Sequence, residues 1–159
     1  MTKAVRKRAL LALIVFCMML AGSSCSGEAE ELRLQFVREY AVLTDRVARC
    51  EAAGTLWEEL DGSSGEGSLL DEFAAEETGE TIEELDEMLD ELFLCSDQKS
   101  ALLFYDRAMT ELRTLQSYSR FSRPLSFDQL GDLYSVCSSV SMTNAAFHQI
   151  LGEPVSAAE

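Results

Sequence analysis

Histidine is almost missing from this 159-residue chain, where His148 stands alone. That excludes metal centres built from several imidazoles and the paired Glu-x-x-His sites of di-metal helical bundles. Proline occurs only twice, at Pro124 and Pro154, each where a helix should begin or end. No stretch alternates β-branched with polar residues between turns, so no strand is predicted. Lysine and arginine are missing from Cys50 to Gln98, where 17 acids stand. From Leu133 to Gly152 no residue carries a formal charge at neutral pH. A basic stripe able to displace counterions from phosphates is lacking, which disfavours nucleic acid as a partner.

What is present begins with a basic start, Lys3, Arg6, Lys7 and Arg8, with no acid among it. Ala9 to Ala21 is then unbroken and apolar, and the small residues Gly22, Ser23 and Ser24 follow. This is the layout of a secretory signal over residues 1–24. As a helix those 13 apolar residues extend about 20 Å, short of the ~30 Å hydrocarbon core, so a permanent membrane span is the weaker reading.

Cys25 comes directly after the small residues. Ala21-Gly22-Ser23-Ser24-Cys25 resembles the signal of bacterial lipoproteins, although Gly22 stands where that family's commonest pattern has leucine. The resemblance covers only the targeting segment. It implies cleavage before Cys25 and acylation of its sulfur with a diacylglyceryl group carrying palmitate-type chains, leaving residues 25–27 as a short tether. Several such chains hold a protein stably at a bilayer. The alternative is ordinary cleavage after Ser23, with Ala21-x-Ser23 as the small-x-small site and a soluble periplasmic or secreted product.

Loss of residues 1–24 removes four of the 13 bases and none of the 28 acids, leaving a mature chain of net charge −19. Tight electrostatic docking to anionic lipid is disfavoured, and a basic protein partner is allowed. If Cys25 is acylated, Cys50, Cys95 and Cys137 remain, enough for one bridge and one free thiol. The pairing preferred here is Cys50–Cys95, because both fall at predicted helix ends, with Cys137 left free. The alternative, that each is a small buried apolar residue, stays open.

Apolar residues recur at helical spacing through the rest of the chain. A first helix is predicted over about 28–53, with Leu32, Phe36, Tyr40, Leu43, Val47 and Cys50 as its seam and Gly54 as its stop. Thr55 opens a short helical turn through Leu60. The segment 61–67, DGSSGEG, is a flexible loop. Ser68 caps a short helix to about Thr78, ended by Gly79. Thr81, with Glu84 three residues on, caps the next helix to Cys95. Another helix is predicted over about 97–120 and a last one from Ser126 to Gly152, with Phe127, Leu130, Tyr134, Cys137, Val140, Phe147 and Leu151 as its seam. Residues 81–120 read as one bent rod or as two helices; the Ser96-Asp97 cap and the length of a single rod favour two, and the alternative stays open. The expected fold is all-α: a bundle of about four amphipathic helices plus one or two short ones over 28–152, with 153–159 as a tail.

Few residues are arranged for chemistry. Cys137 and His148 share a helix but stand about 16 Å apart along it, too far for a nucleophile–base pair. Asp61 to Glu72 has the length of a calcium-binding EF-hand loop and resembles one only at its ends, since Glu66 occupies the position that requires glycine. The acids of 81–95 read as a solvated face. The last helix, uncharged from Leu133 on, presents Ser138, Ser141 and Asn144 as a face for a partner, because interface cores are depleted of charge; its alternative is the central helix of the bundle. No catalytic residue, metal or cofactor is called for. The expectation is a lipid-anchored, non-enzymatic envelope protein that binds, scaffolds or assembles with another envelope protein. The alternative is a soluble, disulfide-containing binding protein or inhibitor.

Overall fold

A computed structural model describes residues 25–62, 67–96 and 99–152, so the expected signal segment, the centre of the 61–67 loop and the tail lie outside the described residues. The elements are α1 (Cys25–Ala52), α2 (Leu56–Asp61), α3 (Leu69–Ala74), α4 (Glu76–Cys95), α5 (Lys99–Ser119) and α6 (Phe127–Leu151). Four long helices and two short ones make an all-α bundle, and no strand occurs among the described residues. No described helix is long and apolar enough to cross a membrane.

The chain alternates in direction. Asn144 reaches Ala41 and Phe147 lies against Tyr40, so α6 runs antiparallel to α1 in the most extensive interface of the fold. Phe104 packs on Phe147, placing α5 on the other flank of α6. Arg113 of α5 pairs with Asp86 of α4, while Gly79 faces Gln116 and Arg120, so these two helices are antiparallel as well. The α1–α4 contact closes the ring. Phe36, Tyr40, Tyr105 and Phe147 meet at its centre, with ring centroids 4.9 Å apart for Tyr40–Phe147 and 5.4 Å for Phe36–Tyr105. Edge-on aromatic pairs of this kind add to the burial of their area.

Local signals explain most boundaries. Ser126 and Gln129 form a reciprocal capping box, as do Ser68 and Asp71. Gly152 ends α6 at φ 70°, a left-handed position that glycine takes without Cβ strain. Ser96, in extended conformation, ends α4 and separates it from α5.

Several expected boundaries are corrected. α1 begins at Cys25, so residues 25–27 are its first turn rather than a tether. The short helix ends at Ala74 instead of Thr78, because the extended Ala75 breaks the chain and α4 then runs straight through Gly79. Thr81 is no cap: its hydroxyl donates to the Glu77 carbonyl at 3.0 Å inside α4. Thr55 places no side-chain hydrogen bond on the start of α2. Leu43 is half-buried at the edge of the core, whereas Leu89 and Leu112 are buried.

Arg46 organises the end of the bundle where α1 hands over to the short helices. Its guanidinium donates to Glu72 and Glu59 at 2.9 Å each and to the Gly67 carbonyl at 2.7 Å. Glu59 also accepts from the Leu69 amide at 3.0 Å. One side chain thereby ties α1 to α2, to the loop and to α3.

Candidate docking surface

α6 owes its place to a heptad-like stripe. Leu130, Leu133, Cys137, Val140, Asn144 and Phe147 are all buried, at alternating steps of three and four. Asn144, only 1% exposed, is the polar member of the stripe. Its Nδ2 donates to the Ala41 carbonyl at 2.9 Å and to Thr44 Oγ1 at 3.0 Å. His148 Nε2 lies 3.0 Å from Asp45 Oδ1, and Arg49 holds the other oxygen of that carboxylate at 3.2 Å. Asn144 therefore belongs to the α1–α6 interface and not to an open face for a partner. A buried amide without such acceptors would cost its desolvation.

Ser138 and Ser141 are half-buried, at the margins of the strip that α6 presents to solvent. Two shallow grooves flank that strip. One, of about 270 Å³, lies against α1 and is lined by Ala48, Ala52, Ser141 and Ala145 with Asp45, Arg49 and Glu51 at its rim. The other, of about 220 Å³, lies against α5 between Phe104, Ala108, Met142 and Ala146, with Arg107 and Glu111 beside it. Both are open to solvent and mix small or apolar residues with charged and polar ones. They suit the side chains of a second protein surface better than a small ligand.

A second apolar surface sits where α6 begins. Phe127 and Tyr134, expected in the seam, are exposed by 78% and 38%. They join Trp57 of α2, 37% exposed, with ring centroids 6.0 Å from Trp57 in both cases. Gly131 lies between them on the same helix face, and a Cβ there would meet nothing within 4 Å. Sequence reasoning missed this cluster. The signal was the Phe127-x3-Gly131-x2-Tyr134 spacing beside the sole tryptophan.

The cysteines do not pair as expected. Cys50, Cys95 and Cys137 form no disulfide with one another. Cys50 lies at the Arg46 end of the bundle. α4 starts at that end and carries Cys95 away over 20 residues, about 30 Å of helix. A bridge needs Cα atoms within about 7 Å, so the Cys50–Cys95 pairing is excluded in this fold. Cys137 is fully buried, which fits the alternative of a small apolar core residue, and burial pushes its thiol up to about 12, with the Glu51 carboxylate adding to the effect. That makes it a poor nucleophile. Tyr40 is raised above the usual phenol range by burial, and the Glu111 charge acts in the same direction.

Among the described residues no group of three His, Cys, Asp or Glu is placed to hold a metal ion. The EF-hand likeness ends in the fold, because Asp61 closes α2 and Glu72 sits inside α3 bound to Arg46. With this geometry in hand, comparison with family models, curated proteins and solved structures finds no match to the chain.

Proposed function

We propose that this chain is exported, acylated at Cys25 and held at a membrane of the bacterial cell envelope, where it acts as a non-enzymatic helical module that docks another envelope protein. The observation that carries the reading is the run from Lys3 to Cys25: basic start, short apolar stretch, small residues, thiol. With Cys25 at the bilayer, α1 would lead directly away from it as one helix of 28 residues, about 42 Å long. The absence of a tether favours a module of fixed stance over one that swings. Docking is supported by the solvent-facing strip of α6 from Leu133 onward, which carries no formal charge at neutral pH and is flanked by two open grooves.

Blocking the lipoprotein signal peptidase with a globomycin-type inhibitor tests the anchor. The precursor accumulates if Cys25 is the processing site. Normal maturation under the block overturns the reading. A second reading, a soluble protein cut after Ser23, is favoured only by the Ala21-x-Ser23 pattern. It is distinguished by a mature N-terminus at Ser24 without lipid.

A further inference from the structure

The geometry points to the Trp57–Phe127–Tyr134 cluster as a docking site for a basic amphipathic segment of a protein partner. This inference rests on the docking half of the reading above and moves its centre from Ser138 and Ser141 to the beginning of α6.

Three independent features converge there. The first is apolar area held in water. Phe127 is 78% exposed, and all three rings stand at the surface of one end of the bundle. Tryptophan and tyrosine are the side chains most enriched where binding energy concentrates. The second is shape. Glycine is a poorer helix former than alanine, and no contact in the fold requires Gly131, since a Cβ would meet open space. Its effect is a gap in the side-chain cover between Phe127 and Tyr134, where no neighbouring atom lies within 4 Å of the missing Cβ.

The third is charge. Asp128 and Asp132 stand exposed on the first two turns of α6, and neither α2 nor α6 carries a lysine or arginine. Three bases of the adjoining elements are already held, and Arg120 lies toward Gly79 of α4. Arg46 is held by Glu59 and Glu72, Arg49 by Asp45, and Arg123 by Asp71 at 2.9 Å. The field around the rings is therefore negative, which repels a second copy of this acidic chain and an anionic bilayer alike. A Lys- or Arg-bearing segment gains on both counts. Its apolar face covers the rings, its cations meet the two aspartates, and a cation can sit over the indole face.

Position agrees. α2 follows the C-terminal end of α1, so the cluster lies at the end of the bundle opposite Cys25. An anchored molecule would hold it toward the aqueous side, away from lipid.

Trp57 is the sole tryptophan of the chain, so its emission reports on the site directly. The full chain is titrated with an amphipathic peptide of lysine and leucine, and with a control of glutamate and leucine. The lysine peptide should shift Trp57 emission to the blue with saturation, and the glutamate peptide should not. Phe127→Ser, at a side chain too exposed to affect folding, should weaken binding at least ten-fold. Asp128→Asn with Asp132→Asn should weaken it and flatten its salt dependence. Glu83→Gln with Glu87→Gln, on the exposed face of α4, should leave the shift in place. An unmoved emission, or equal binding by Phe127→Ser, overturns the inference. So does an emission shift produced by phosphatidylcholine vesicles alone, or by raising the protein concentration alone. These outcomes leave Cys25 processing untouched, and failure of processing leaves the titration untouched, so the two readings fail separately.

Discussion

Asn144 of α6 donates through its side-chain amide to the backbone carbonyl of Ala41 in α1, 2.9 Å away and out of contact with water. The same nitrogen lies 3.0 Å from Thr44 Oγ1, so one amide fixes the register of the two longest helices. Buried polar pairs of this kind discriminate against slipped packings, since a slip leaves them unsatisfied. Asn144→Ala should lower stability by about 1–3 kcal/mol, because Thr44 loses a partner and a small void opens. Urea unfolding followed by circular dichroism measures this. An unchanged midpoint would show that the amide contributes nothing to the interface.

Arg46 is expected to matter more than its exposure suggests. Its ion pairs with Glu59 and Glu72 and its bond to Gly67 join four successive segments of chain. Arg46→Met keeps the aliphatic stem and deletes the fork. It should cost about 1–3 kcal/mol and release the α2–α3 segment first. Hydrogen exchange should then show the Leu69 amide, which donates to Glu59, losing protection ahead of α5. Loss of protection uniform across the bundle would argue against a local clamp.

Alkaline stability follows from two buried acids. Cys137 is raised from 9.0 to about 12, chiefly by burial, and Tyr40 is raised above 10.0 for the same reason. A raised acid keeps its proton in the folded chain while the unfolded chain releases it. The stabilising difference is complete below pH 9 and is lost as pH climbs from 9 towards 12 for Cys137, and from 10 upward for Tyr40. Each group takes away about 1.4 kcal/mol per pH unit within its window. Tyr40→Phe and Cys137→Ala should each make the fall of the melting temperature above pH 9 shallower. An unchanged slope in both variants would contradict the burial argument.

Thiol chemistry gives a direct readout of the cysteine positions. Under native conditions iodoacetamide should modify Cys50 and Cys95, both partly exposed, well before Cys137, which should react only on unfolding. Mild oxidation of the folded monomer should yield no Cys50–Cys95 cross-linked peptide, since the two lie toward opposite ends of the bundle. Recovery of that peptide in high yield would require a different path for α4.

The all-α class was legible in the sequence, and so were the seams of α4 and α5, because Ile82, Leu85, Leu89, Leu102, Met109 and Leu112 recur at helical spacing with acids or polar residues opposite. Two local signals misled. Thr81 and Gly79 resemble a stop followed by a cap, yet packing against α5 carries the helix through both, since tertiary burial outweighs a propensity of about 1 kcal/mol. In α6 the spacing puts Phe127, Leu130 and Tyr134 in one seam, whereas the fold buries Leu130 and Leu133 and leaves Phe127 and Tyr134 exposed. Only the positions of α1 and α2 decide which of these are buried, and that choice leaves the aromatic cluster outside. Asn144 reads as a surface polar residue in the sequence, which does not show which helix lies opposite. The Cys50–Cys95 pairing assumed that helix ends meet, whereas the direction of α4 separates them.

The central claim is that Cys25 ties this bundle to a bilayer, and the intact mass of the mature protein from a detergent extract of bacterial membranes tests it most directly. The account predicts a chain beginning at Cys25 with the added mass of acyl chains on that residue, recovered in the detergent phase. An unmodified chain in the aqueous phase, beginning at Ser24 or still carrying Met1, would contradict it.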